Sequence, residues 1–287
     1  MIYLFAPETD VHALEIIQTK ALAGCEIQHL TADFFLQNGV SLFDGYVTIN
    51  GRQLQSTDVL VYRRNLDFHA RLEGLGYLGA ERTYLARTLD EHADSFLFAC
   101  EEICRVVNPR SRHRLALSKP QQLRAARKFD FNAPATIFSN NISDIQMWLE
   151  GHERAIIKPY SAGFELTGGR SGCVKTVEIK VADFDGLSFG ESPMIVQQFI
   201  ESDDEIRIIV RPGSLLGFSL GWCNKLNGVD WRPHQEQLNV TVFEIPPGLA
   251  HKITMLCDFL GVGLGTIDLI RFGQELFFLE ANLAGNY

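Results

Sequence analysis

Near the end of the chain two apolar, strand-like runs, GTIDLIRF and ELFFLEAN, carry Asp268, Glu280 and Asn282 among otherwise hydrophobic residues. A charge in such a run needs a partner, because burying it alone is costly. If Gly273-Gln274-Glu275 forms a three-residue loop, Asp268 lies directly across from Glu280, and Asn282 falls on the same face two residues on. Two carboxylates and an amide oxygen then converge. Like charges so placed repel, a bound cation resolves the repulsion, and an all-oxygen set suits Mg²⁺. The competing reading is an edge hairpin whose polar residues face water.

At 287 residues the chain is long enough for two or three closely packed units. The opening MIYLFA, a helical pattern through Val11, Leu14, Ile17 and Leu22 that closes at Gly24, and the strand CEIQHLT make a β-α-β start. YVTIN turning at Asn50-Gly51, the buried strand DVLVYRR and a helix over 80–104 complete an α/β unit, residues 1–107. Asn108-Pro109 breaks the chain. A second unit, 108–190, starts with the helix SKPQQLRAARKF and holds strands ATIFSN, AIIKPY and CVKTVEIK, with a helix from Ser143 to Glu150 capped by that serine. The third unit, 191–287, opens with MIVQQFI, continues through EIRIIVRPGSLLGFSLGW and the helix HKITMLCDFLG, and ends on the hairpin. The class is α/β with mixed α+β lobes, and without repeats or low-complexity linkers the units should pack together.

A formal charge of -9 argues against a chain whose main task is neutralising nucleic-acid phosphates. The densest basic run, from Arg105 through Arg110, Arg112 and Arg114 to Arg124 and Arg127, reads either as a solvated face or as a groove for an anionic partner. No stretch approaches the ~20 apolar residues of a membrane span. The scattered cysteines complete no zinc site, and the N-terminus lacks the features of a secretory signal, so the expectation is a soluble, cytoplasmic protein with free thiols.

Other residues add chemistry. Lys158 ends the run AIIKP, and the glycine-rich SAGFELTGGRSG follows at once. Its Gly163, Gly168 and Gly169 would let a backbone approach phosphate oxygens, although a hairpin tip reads the same way. Glu205 and Arg207 share one side of the strand DDEIRIIVRPG, where a guanidinium on a rigid element can clamp an anion or stabilise a tetrahedral intermediate; a surface ion-pair ladder is the alternative. Asp230-Trp231-Arg232 is a second such cluster, with Arg232 reaching toward phosphate, or else a structural ion pair. Gly74-Leu75-Gly76-Tyr77-Leu78-Gly79 matches GxGxxG but does not sit at a strand-to-helix turn.

These pieces, in this order, resemble an ATP-grasp enzyme from about Asn108 onward: a late aspartate strand with Asp268, then an E-x-N strand with Glu280-Ala281-Asn282. The resemblance implies an N-terminal pre-grasp domain followed by two lobes that clamp ATP. It further implies Mg²⁺ on Asp268, Glu280 and Asn282, the phosphates on Lys119 and Lys158, the adenine along Gln198, Phe199 and Ile200, and the ribose on Glu201. Arg207, with Arg232, falls to the transferring phosphate or the acyl intermediate, and the glycine-rich segment acts as a lid. VLVYRR, FACEEICRVVNP and SKPQQLRAARKFDFNAPATIFSN further resemble the branch, related to RimK and the microviridin ligases, that modifies ribosomally made peptides. That branch implies a peptide or small carboxylate substrate, no nucleic acid or membrane partner, and closure of an amide or ester bond through an acyl phosphate. Relatives are often dimers, which makes a homodimer part of the expectation. The rival readings are an amino-acid or protein-tail ligase of the same fold, a catalytically inactive nucleotide-binding partner, and a dinucleotide-dependent oxidoreductase.

Overall fold

The computed structural model describes residues 1–19, 24–37, 39–160, 163–166, 170–173, 176–180, 192–224, 228–229 and 231–283. In chain order the first unit runs β1 (Ile2–Phe5), α1 (Val11–Gln18), β2 (Ile27–Leu30), α2 (Ala32–Leu36), β3 (Val40–Phe43), β4 (Tyr46–Ile49), β5 (Arg52–Gln53), β6 (Val59–Tyr62), α3 (Phe68–Gly74), α4 (Gly79–Ile103) and β7 (Arg105–Val107). Four strands form a parallel sheet in the order β2-β1-β6-β7. Alternation decides its faces: Tyr3, Phe5, Leu60 and Tyr62 meet Ala93, Phe96 and Leu97 of α4, while Leu4 and Ala6 meet Ala13 of α1. The expected turn at Asn50-Gly51 forms with both residues at positive φ, the geometry that a two-residue hairpin loop requires. Gly74 through Gly79 joins α3 to α4 and therefore opens no β-α-β unit.

The chain continues with α5 (Arg110–Leu117), α6 (Lys119–Lys128), β8 (Thr136–Ser139), α7 (Ile142–Leu149), β9 (Arg154–Pro159), β10 (Gly163–Leu166), β11 (Arg170–Cys173), β12 (Val177–Lys180) and β13 (Met194–Gln198). An antiparallel sheet takes the order β12-β9-β13-β8, with β10 and β11 as a separate pair. Two details differ from the sequence expectation. Residues 194–198, assigned above to the third unit, pair here between β9 and β8, because Met194 and Val196 complete the small core of Ile145, Leu149, Ala155 and Ile179. The cap of α7 is Asn141, whose side chain accepts from the amides of Ser143 and Asp144; Ser143 already lies inside the first turn.

The last part comprises β14 (Asp204–Arg211), β15 (Ser214–Ser219), β16 (Thr241–Phe243), α8 (Pro247–Leu260), β17 (Gly265–Phe272) and β18 (Glu275–Asn282). These strands form an antiparallel sheet ordered β16-β15-β14-β17-β18. One face, with Ile206, Ile208, Ile267, Leu269 and Phe278, packs on α8 and on Ala116, Leu123 and Ala126 of α5 and α6. Thus α5 and α6 rest on the C-terminal sheet. Asn108, in left-handed backbone (φ 60), ties the first unit to it: its Nδ2 donates to the carbonyls of Tyr62 (3.4 Å) and Leu264 (2.7 Å), and its Oδ1 accepts from the amides of Gly263 (2.8 Å) and Leu264 (2.9 Å). No helix among the described residues is long and apolar enough to cross a membrane.

Candidate active site

The hairpin brings Asp268 opposite Glu280, as the sequence predicts, by a different route. The turn holds only Gly273 and Gln274, since Phe272 pairs with Glu275, and the register then shifts by one residue between Leu269 and Asp268. Leu279 is the extra residue, a β-bulge. Without the shift Asp268 would face Leu279, and Glu280 would turn toward the core. With it, Arg207, Asp268, Glu280 and Asn282 share the face opposite the hydrophobic core.

Their contacts are specific. Arg207, directly across from Asp268, donates Nε to Oδ1 at 2.9 Å and Nη2 to Oδ2 at 3.0 Å, a bidentate fork between half-buried side chains. Its Cζ lies 5.1 Å from the centre of the Trp231 ring, within cation–π range. Lys119 Nζ donates to Glu280 Oε2 at 3.1 Å. Asn282 Nδ2 donates to Asp268 Oδ2 at 3.2 Å and to Glu280 Oε1 at 3.0 Å. Among the described residues no three His, Cys, Asp or Glu side chains gather for a metal. The candidate set is instead two carboxylates and an amide, hard oxygen donors on one face, and it fits a hard divalent cation.

Gln122 positions Lys119 from inside α6. Buried at 2% exposure, it donates Nε2 to the Ala281 carbonyl (2.8 Å) and accepts from the Ala281 amide at Oε1 (3.0 Å). A side-chain amide thus pairs with the edge of β18 between Glu280 and Asn282, and the first residue of α6 is brought against Glu280. The sequence signal was a glutamine on the apolar side of a helix.

In the central sheet, Met194, Val196 and Ile157 pack toward α7, so Ile195, Gln197, Ile156 and Lys158 point the other way. Phe138, the cross-strand partner of Ile195, packs against the C-terminal core, which turns this face toward the C-terminal unit. Gln197 is 2% exposed. Its Nε2 donates to Thr136 Oγ1 (3.0 Å), whose own proton goes to the Pro134 carbonyl (3.0 Å). This chain of donors fixes the amide orientation and leaves Oε1 a buried acceptor without a partner among the described residues.

The remaining candidates are dispersed. Gln198 accepts at Oε1 from the Ala135 backbone N–H (3.4 Å), and its own backbone N–H donates to the Ala135 carbonyl (2.8 Å). Phe199 lies under the Arg154 guanidinium, 4.0 Å from its ring centre, and Glu201 Oε1 accepts from that arginine at 3.1 Å. The Ile200 carbonyl accepts from Asn224 Nδ2 (2.9 Å), which also receives the Ser202 amide at Oδ1 (2.8 Å). Gly163 begins β10. Gly168, Gly169 and Asp230 lie outside the described residues, as does the side chain of Arg232.

This architecture, an N-terminal parallel sheet followed by two antiparallel sheets, is the ATP-grasp fold. Among solved structures, the chain is similar to a RiPP-associated ATP-grasp ligase of Chryseobacterium gregarium in complex with ADP and a leader and core peptide. That match has a TM-score of 0.76 at 24% identity and covers 99% of this chain and 89% of that one. It is also similar to the macrocyclase MdnC of Microcystis aeruginosa MRC bound with the precursor peptide MdnA, at TM-score 0.78 and 19% identity over 100% and 92% of the two chains. The ATP-grasp ligase PsnB, complexed with minimal precursor, Mg and ADP, matches at TM-score 0.79 and 16% identity over 100% and 89%. No family model matches the sequence, and neither does any curated protein.

Proposed function

We propose that this chain is an ATP-dependent ligase that activates a side-chain carboxylate of a ribosomally made peptide as an acyl phosphate and joins it to an amine or hydroxyl. The observation that carries the reading is the convergence of Asp268, Glu280 and Asn282 with Arg207 and Lys119 on one sheet face. The precursor peptides and ADP bound to the similar ligases support the choice of substrates.

Asp268, Glu280 and Asn282 would hold Mg²⁺, and the ion, when bound, neutralises phosphate oxygens. The unpartnered Gln197 Oε1 suits a purine carrying an exocyclic amine: it accepts where adenine donates and repels a 6-oxo purine. Gln198, Phe199 and Ile200 line the base and Glu201 the ribose. Lys119 grips the phosphates from the start of α6, and Lys158 from β9 of the central sheet. The substrate carboxylate attacks the γ-phosphorus, and ADP leaves. The amine or hydroxyl then attacks the acyl carbon and loses its proton, and phosphate departs. Arg207, with Arg232, stabilises the anionic oxygens at both stages, while the surrounding chain orients the reactants.

The test is twofold. In thermal unfolding, Mg-ADP at ~100 times its Kd should stabilise the wild type by about 2.7 kcal/mol, and Lys158→Ala should lose that gain. Incubated with ATP and a candidate precursor, the wild type should yield a peptide lighter by one water per bond. Arg207→Ala should still bind nucleotide but turn over about 100-fold more slowly. Unchanged turnover in Arg207→Ala, or no response to any adenine nucleotide, defeats the assignment.

A further inference from the structure

Each candidate metal ligand is already held by the chain itself. The Arg207 fork covers both oxygens of Asp268, Lys119 covers Glu280, and the Asn282 amide group sits between the two carboxylates, donating to each. The four charged groups cancel, two positive against two negative. A divalent ion entering this cluster must take oxygens from Arg207 and Lys119, and the Asn282 amide must turn to present its oxygen in place of its N–H groups.

We infer that Arg207 and Lys119 are internal counter-ions that close the site to a free divalent cation, so that metal is admitted together with a polyphosphate. The inference rests on the Mg-nucleotide reading above and concerns the order in which that site fills. Metal arriving alone leaves a guanidinium and an ammonium displaced beside a divalent ion, which repels both. Metal arriving with phosphate oxygens gives each displaced cation a new anionic partner. The same exchange frees Arg207 for the reacting phosphate only once the metal is in place. The Trp231 face keeps its guanidinium beside the cluster during the transfer.

Mn²⁺ without nucleotide, its free fraction read by electron paramagnetic resonance, tests this. The wild type should bind Mn²⁺ weakly. Arg207→Met should bind it at least about tenfold more tightly, the effect expected for removing one unit charge a few ångströms from a divalent ion at a partly buried site. Mg-ADP affinity in the same variant should fall. Lys119→Met, at the half-buried start of α6, should shift Mn²⁺ binding in the same direction and carries the test should Arg207→Met not fold. Adding Asp268→Asn should abolish the gain. Folded variants that bind Mn²⁺ no more tightly than the wild type overturn the counter-ion role while leaving the nucleotide site intact. A wild type that does not bind Mg-ADP overturns both.

Discussion

At the scale of single residues, buried amides do much of the positioning. Gln122 satisfies the Ala281 amide and carbonyl from inside α6. Gln122→Met keeps the shape but strands both groups, and should destabilise the fold by about 1–3 kcal/mol while weakening Mg-ADP binding through displaced Lys119; calorimetry checks both. A second case is titratable. His113 is buried with its Nδ1 3.2 Å from Arg110 Nη1, which can donate to it only while the ring is neutral. Burial, and next the Arg110 guanidinium, push its pKa down to about 4. The unfolded chain takes up that proton near pH 6.5, so the unfolded state binds more protons as pH falls. The stability owed to the neutral ring is complete above about pH 6.5 and declines from there to about pH 4. Urea midpoints measured across this window should flatten in His113→Gln.

At the scale of elements, local chemistry was readable and register was not. The turn at Asn50-Gly51, the left-handed Gly261 closing α8 and the placement of Asp268, Glu280 and Asn282 on one face all follow from residue types and alternation. The bulge at Leu279 does not: a three-residue loop and a two-residue turn with a bulge place Asp268 opposite Glu280 equally well, and only the backbone distinguishes them. Likewise, nothing local assigns Met194–Gln198 to one sheet rather than another, because partner choice depends on the distant Ile145 and Leu149. Gln122 and Gln197 were missed because a polar residue in an amphipathic element looks solvated until its burial is seen. The capping of α7 gives a direct check: Asn141→Ala should cost about 1 kcal/mol in denaturant unfolding, and Ser143→Ala clearly less.

At the scale of the whole molecule, Asn108 is the fastening between the parallel sheet and the turn that leads into the hairpin strand carrying Asp268. Asn108→Ala loses these bonds and strains the left-handed backbone, and should destabilise by about 3 kcal/mol; Asn108→Gly should recover the strain component alone, which paired denaturation curves would resolve. Because α5 and α6 also lie on the C-terminal sheet, Lys119 and the Asp268–Glu280 cluster are built on one core, whereas Lys158 and Gln197 sit on strands whose other face builds the small core of Ile145, Leu149 and Ala155. The two lysines that sequence order groups together are therefore carried by different cores. On the proposed reading a polyphosphate would bridge them, so on addition of Mg-ADP a probe on β9 should change its distance to a probe on α6.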